Sequence, residues 1–210
     1  MELKHIRVTY DAAFSLGNSC YSTFKLATYQ LRHYSGIMDW MVSLSLSGVN
    51  KLIRNRGAGF MELSNMSVVG THAGGLNWLI RDSEYDIMSA HDFPVASNHI
   101  DHWPSYPAFK EKLDRRIKRF FDKMETSQRI FFLRLGGTYE EALELQTELR
   151  AIVKHQFHIL LVNHTPNYGI IECHWPLEHV CAIEVPLDGE QYTELWNYIL
   201  YGVRLLGHPQ

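Results

Sequence analysis

With 210 residues, 46% of them hydrophobic and 20% charged, the chain can bury a sizeable core and reads as one domain spanning 1–210. A formal net charge of −3 argues against nucleic acid as a main partner. No apolar run approaches the roughly 18 residues needed to span a bilayer, and the opening Met1-Glu2-Leu3-Lys4-His5 lacks the parts of an export signal, so a cytoplasmic protein with no membrane partner is expected. The three cysteines, Cys20, Cys173 and Cys181, contain no C-x-x-C pair and read as free thiols.

In chain order, His5 to Phe14 alternates apolar and polar residues and predicts a strand entering the core. Ser15 to Ser19 reads as a turn. The spacing of Cys20, Phe24, Ala27 and Leu31 predicts a helix with those residues on its buried face and Cys20 in its first turn. A second helix is expected over Met41 to Ile53. Short strands follow at Ser67–Val69, Asn77–Ile80 and Asp86–Ser89, and a polar loop runs from His91 to Tyr106. Pro107 opens a helix carrying Phe109, Leu113, Ile117, Phe120 and Met124.

The last third is more regular. Arg129–Leu135, Phe157–Val162 and Val180–Val185 read as buried strands, with an extra strand within Gly169–Trp175. Thr138 with Glu141 forms a capping box ahead of Ala142, Leu145, Leu149 and Ile152. Asp188 with Gln191 is expected to cap a final helix bearing Leu195, Ile199 and Val203. This alternation predicts an α/β fold with a mixed, largely parallel sheet, helices on both faces and Cys20 at the N-terminus of the first helix.

That placement gives Cys20 the chemistry of a nucleophile. Free N–H groups and the helix dipole favour a thiolate there, and Gly17, Asn18 and Ser19 offer close approach and donors for an oxyanion. The bland alternative is a small buried hydrophobe. A thiol nucleophile needs a base, and His91, at the end of a predicted strand, is the candidate. Asp39 is a candidate orienter. Asp92 would point away from His91 on a strand, and Asn98, Asp101 and His102 are further loop candidates. His91, His99 and His102 could instead hold a metal, but no H-E-x-x-H pattern supports one and no metal is expected.

Lys110 to Lys123 is a basic helix whose simplest reading is a solvated face; Arg116 or Arg119 could alternatively bind a carboxylate or phosphate. The dinucleotide fingerprint, the P-loop lysine and G-x-S-x-G are all absent, so no cofactor is expected.

Ser15-Leu16-Gly17-Asn18-Ser19-Cys20, Leu31-Arg32, Ser35-Gly36-Ile37-Met38-Asp39-Trp40 and His91-Asp92-Phe93 together resemble a bacterial family described as papain-like cysteine peptidases (DUF1796). The likeness continues through Arg115 to Phe120, Phe131 to Arg134, Leu161-Val162-Asn163 and Trp175-Pro176-Leu177. It implies a thiol nucleophile at Cys20 partnered by His91. The chain departs from papain-like enzymes in having Phe14 and Ser15 where an oxyanion-hole glutamine would stand, and in the early position of its histidine. The leading expectation is a cysteine-dependent hydrolase or acyltransferase acting on an amide or thioester in a small-molecule, peptide or acyl-carrier substrate. The alternative is a non-enzymatic binding protein for an anionic ligand, recognised by Arg116, Arg119 and the histidine loop.

Overall fold

The computed structural model describes residues 1–187 and 192–207. In chain order they form α1 (Leu3–Ile6), β1 (Thr9–Tyr10), β2 (Ala12–Ser15), α2 (Tyr21–Thr28), β3 (Met41–Val42), α3 (Leu46–Arg54), β4 (Met66–His72), β5 (Asn77–Asp82) and β6 (Ile87–Ser89). There follow α4 (Tyr106–Thr126), β7 (Arg129–Leu135), α5 (Tyr139–Ile152), β8 (Gln156–Thr165), β9 (Ile171–Glu172), β10 (Val180–Pro186), α6 (Thr193–Ile199) and β11 (Arg204–Leu205).

The fold is α/β, as the alternation predicts. A five-stranded sheet runs in the order β2-β7-β8-β10-β9. Its first four strands are parallel, and β9 pairs antiparallel with β10. Side-chain alternation divides each buried strand between two helical layers. Phe132, Ile159 and Leu161 face a core with Val49, Leu52, Phe109, Leu113 and Leu145 from α3, α4 and α5. Phe131, Leu133, Leu160, Val162 and Cys181 face the other side, against Leu3, Leu26, Trp196 and Ile199 from α1, α2 and α6.

A second sheet, antiparallel in the order β3-β6-β5-β4, joins the first core through Met66, Ile80 and Ile87. Among the described residues no helix is long and apolar enough to cross a membrane.

Four expectations need correction. His5–Phe14 is not one strand: Glu2 and His5 cap the single turn α1, and the strands β1 and β2 follow. Cys20 therefore precedes the second helix, not the first. Met41–Ile53 is not one helix either, because Ser45, extended at φ −100, caps α3 by accepting from Ser47 N. That leaves Met41 and Val42 free to pair with β6.

The fourth correction concerns the buried face of α2. Ser22, Thr23, Lys25 and Leu26 turn inward, while Phe24 and Ala27 face solvent. The inward hydroxyls have partners waiting: Ser22 Oγ lies 2.6 Å from Ser15 Oγ, and Thr23 Oγ1 donates to Asp39 at 3.3 Å. The Thr138–Glu141 box is present, whereas the Asp188–Gln191 cap lies outside the described residues.

Gly48, in the first turn of α3, locks the second sheet to that helix. A Cβ there would lie 2.0 Å from the carbonyl oxygen of Tyr85. Alanine ordinarily stabilises a helix relative to glycine by about 1 kcal/mol. Here Gly48→Ala is expected to lower stability by about 1–3 kcal/mol through overpacking, read as a fall in the urea midpoint. A raised midpoint would contradict this packing.

Candidate active site

The C-terminal end of β2 opens into the loop that carries Cys20. Carboxyl ends of parallel strands are where open α/β sheets place their ligand crevices. Leu16 N continues the sheet by donating to Leu133 O at 2.8 Å, and then the chain turns sharply. Gly17 has φ +79, and a Cβ on it would fall 2.7 Å from Ser43 Oγ and 3.1 Å from Met38 Cε. The turn therefore requires glycine. Asn18 is also left-handed, at φ 87. It exchanges two hydrogen bonds of 3.0 Å with Ser43: Asn18 N donates to Ser43 Oγ, and Ser43 N to Asn18 O.

Beneath this loop sits Arg134, fully buried on β7. Its guanidinium donates to Leu16 O at 2.9 Å, Ser43 Oγ at 2.8 Å, Ser43 O at 2.9 Å and Gly136 O at 2.8 Å. Burial lowers its pKa to about 10, which leaves it charged at neutral pH. Three loops, after β2, β3 and β7, are thus pinned to one cation. Sequence reading missed this role. The available signal was a charged residue inside the apolar run Phe131-Phe132-Leu133-Arg134-Leu135.

Cys20 is the N-cap residue of α2. Its Sγ lies 3.2 Å from Nε2 of His91, which arrives from the end of β6 in the antiparallel sheet. The His91 ring stands edge-to-face with Trp40, centroids 5.6 Å apart, and with His72, centroids 4.8 Å apart. His72 ends β4 and Trp40 immediately precedes β3, so all three rings come from one sheet and its approach. Trp40 entered only as part of the motif behind the family resemblance and His72 not at all, because contacts between strand ends leave no local pattern.

The other candidates fall into two groups. Asp39 is 1% exposed and its carboxylate accepts from Thr23 Oγ1, Arg32 Nε (2.7 Å) and Gly36 N (3.0 Å). It fixes the turn before Trp40, itself left-handed at φ 68, and makes no hydrogen bond to His91 among the described contacts. His91 and Asp92 lie beyond β6, where strand parity does not apply; the Asp92 carboxylate accepts from Ser89 Oγ at 2.7 Å and from Lys112.

Arg116 is buried, with Nη1 3.5 Å from Asp39 O. Arg119 donates to Ser35 O at 3.2 Å and lies over the Tyr34 ring. Both guanidinium groups an anion-binding protein would need are therefore engaged with the 35–39 loop. Asn98 braces its own loop through Pro94 O, Ser105 N and Ser105 Oγ. Asp101 and His102 are exposed, and His99 and His102 exchange backbone hydrogen bonds. Among the described residues no group of three or more His, Cys, Asp or Glu could hold a metal ion.

The electrostatics favour an uncharged pair at rest. Burial pushes the Cys20 thiol up, its own backbone N–H partly offsets this, and the carboxylates of Asp39 and Asp92 push further upward. Burial likewise lowers His91, and His72 beside it adds to the effect against Asp92. A neutral thiol beside a neutral imidazole is the starting state for general-base activation, in which the proton moves as the sulfur attacks.

A family model described as "Putative papain-like cysteine peptidase (DUF1796)" matches residues 11–167. No curated protein and no solved structure matches the chain.

Iodoacetamide labelling of Cys20, followed by mass spectrometry against pH, reads the resting state. The midpoint is expected above the ordinary thiol value of about 8.5. A midpoint well below it would mean a preformed thiolate–imidazolium pair instead.

Proposed function

The chain belongs to the DUF1796 family, described as "Putative papain-like cysteine peptidase", and on that premise we propose that it is a cysteine-dependent acyl-transferring enzyme acting on an amide or thioester. The observation that carries this reading is the 3.2 Å approach of Cys20 Sγ to His91 Nε2, made by residues 71 positions apart. A cysteine kept only for packing has no need of an imidazole delivered from another sheet.

In this reading Sγ attacks the substrate carbonyl carbon while its proton passes to His91 Nε2. Backbone N–H groups at Ser19 and Cys20, with the Asn18 side chain, receive the oxyanion, and Gly17 keeps the turn tight enough to present them. The C–N or C–S bond of the substrate then breaks, and His91 returns the proton to the leaving amine or thiol. The product is an acyl thioester on Cys20. Attack by water releases an acid, making the enzyme a peptidase or amidase; attack by an amine makes it an acyltransferase.

No carboxylate or amide is needed as a third member here. Trp40 and His72 confine the His91 ring by contact, and Asp92, Arg116 and Arg119 act behind the site by holding its loops. Arg134 does the same for the nucleophile.

The test is turnover of a panel of peptide amides and N-acetylcysteamine thioesters, with and without an added amine, followed by mass spectrometry of products and of Cys20. Cys20→Ala is expected to abolish turnover. His91→Ala is expected to lower kcat/KM by about 10²–10⁴-fold, the usual worth of a positioned base. Turnover that survives in Cys20→Ala would remove the proposal, and acid or amide as product separates hydrolase from transferase.

A further inference from the structure

The outward face of α2 is unusual in what it leaves uncovered. Phe24 is 51% exposed and Ala27 is exposed, while the polar Ser22 and Thr23 are buried. Cys20, Phe24 and Ala27 are spaced four and three apart, so they form one stripe that begins at the nucleophile. The Phe24 ring meets Trp40 edge-to-face at 5.0 Å, and Trp40 meets His91 in turn at 5.6 Å. An aromatic surface therefore continues without a break from the reacting pair onto the helix.

The nearby cations are directed elsewhere. Lys25 Nζ lies over the rings of Tyr21 (4.8 Å) and Trp196 (5.0 Å) on the inner side of α2. Arg32 is held by Asp39 and Ser35. The backbone invests in the same arrangement, since Trp40 adopts φ 68, a conformation costly for a bulky residue. A half-exposed phenylalanine alone is ordinary; one that joins a strained tryptophan to a candidate catalytic histidine is a surface built against the site.

We infer that Phe24 and Trp40 form an apolar subsite that binds a hydrophobic acyl group, aliphatic or aromatic, next to Cys20. The inference rests on the Cys20–His91 reading above and adds the substrate class to it. An acyl chain leaving the thioester carbon would lie along the stripe toward Phe24 and Ala27, burying apolar surface that the free protein exposes.

The test uses p-nitrophenyl acetate, butyrate, octanoate and phenylacetate. With these esters the Sγ–C bond forms, the thiol proton goes to His91, and the C–O bond breaks to release p-nitrophenolate. Water then cleaves the thioester, and the proton returns to Sγ. Each acylation rate is divided by that of N-acetylcysteine with the same ester, to remove intrinsic reactivity.

The corrected octanoate-to-acetate ratio is expected to be about tenfold or more in the native chain. Phe24→Ala is expected to bring it close to one, and Phe24→Leu to restore much of it. A native ratio near one, or a ratio unchanged in Phe24→Ala, overturns the subsite while leaving the Cys20–His91 reading intact. If no ester acylates Cys20, the reading and the subsite fall together.

Discussion

One buried cation organises this molecule's working end. Among the described residues Arg134 makes no ion pair, though the Glu141 carboxylate favours its charge from a distance; it donates to the carbonyl oxygens of Leu16, Ser43 and Gly136 and to the Ser43 hydroxyl. A buried charge without a hydrogen-bonded counter-ion is costly, and it survives where dipoles replace the water it has lost. Those dipoles are the carbonyls at the ends of β2, β3 and β7, where backbone acceptors run out of sheet partners. The cation and the loop carbonyls thus satisfy each other, and the sharp Gly17–Asn18 turn into Cys20 follows from that exchange. The cost of burial is visible in the downward shift of the arginine itself.

The two halves of the candidate site have different origins. The thiol comes from a parallel sheet whose strands are buried on both faces, a stiff platform. The imidazole comes from a small antiparallel sheet that shares only one face with the core. Its ring is confined by Trp40 and His72 and not by a hydrogen-bonded acid. The acids nearby, Asp39 and Asp92, are committed to Arg32 and Lys112 and to the loop backbone. Their negative charge still reaches Cys20 and favours its protonated form. Both the thiol and the imidazole are thereby shifted toward their uncharged forms.

Much of this was legible in the sequence, and the failures have physical causes. The buried strands β7, β8 and β10 and the helices α4 and α5 carry strong periodicity and clear caps, and they stand where the pattern puts them. Cys20 and His91, which the structure brings to 3.2 Å, were candidates because a thiol beside a helix start and a histidine at a strand end are local features. The inward face of α2 was misread because apolar spacing marks a helix face without saying whether the protein covers it. Ser22 and Thr23 gain hydrogen-bond partners by turning in, which leaves Phe24 outside. The helix expected over Met41–Ile53 failed because Ser45 caps in its midst. Arg134, His72 and Trp40 act through contacts distant in sequence, which periodicity cannot register.

The position of β7 in the chain has a consequence for synthesis. The strand β2 lies at the edge of its sheet and hydrogen-bonds only to β7. Cys20, Trp40, His72 and His91 all leave the ribosome before Arg129–Leu135 is made. Until that strand pairs and its arginine reaches the loop carbonyls, the nucleophile turn has only its bonds to Ser15, Ser22 and Ser43 to hold it. The nascent chain thus carries Cys20 and His91 early, but the strand that gives β2 its sheet partner, and the arginine beneath the Cys20 loop, come later.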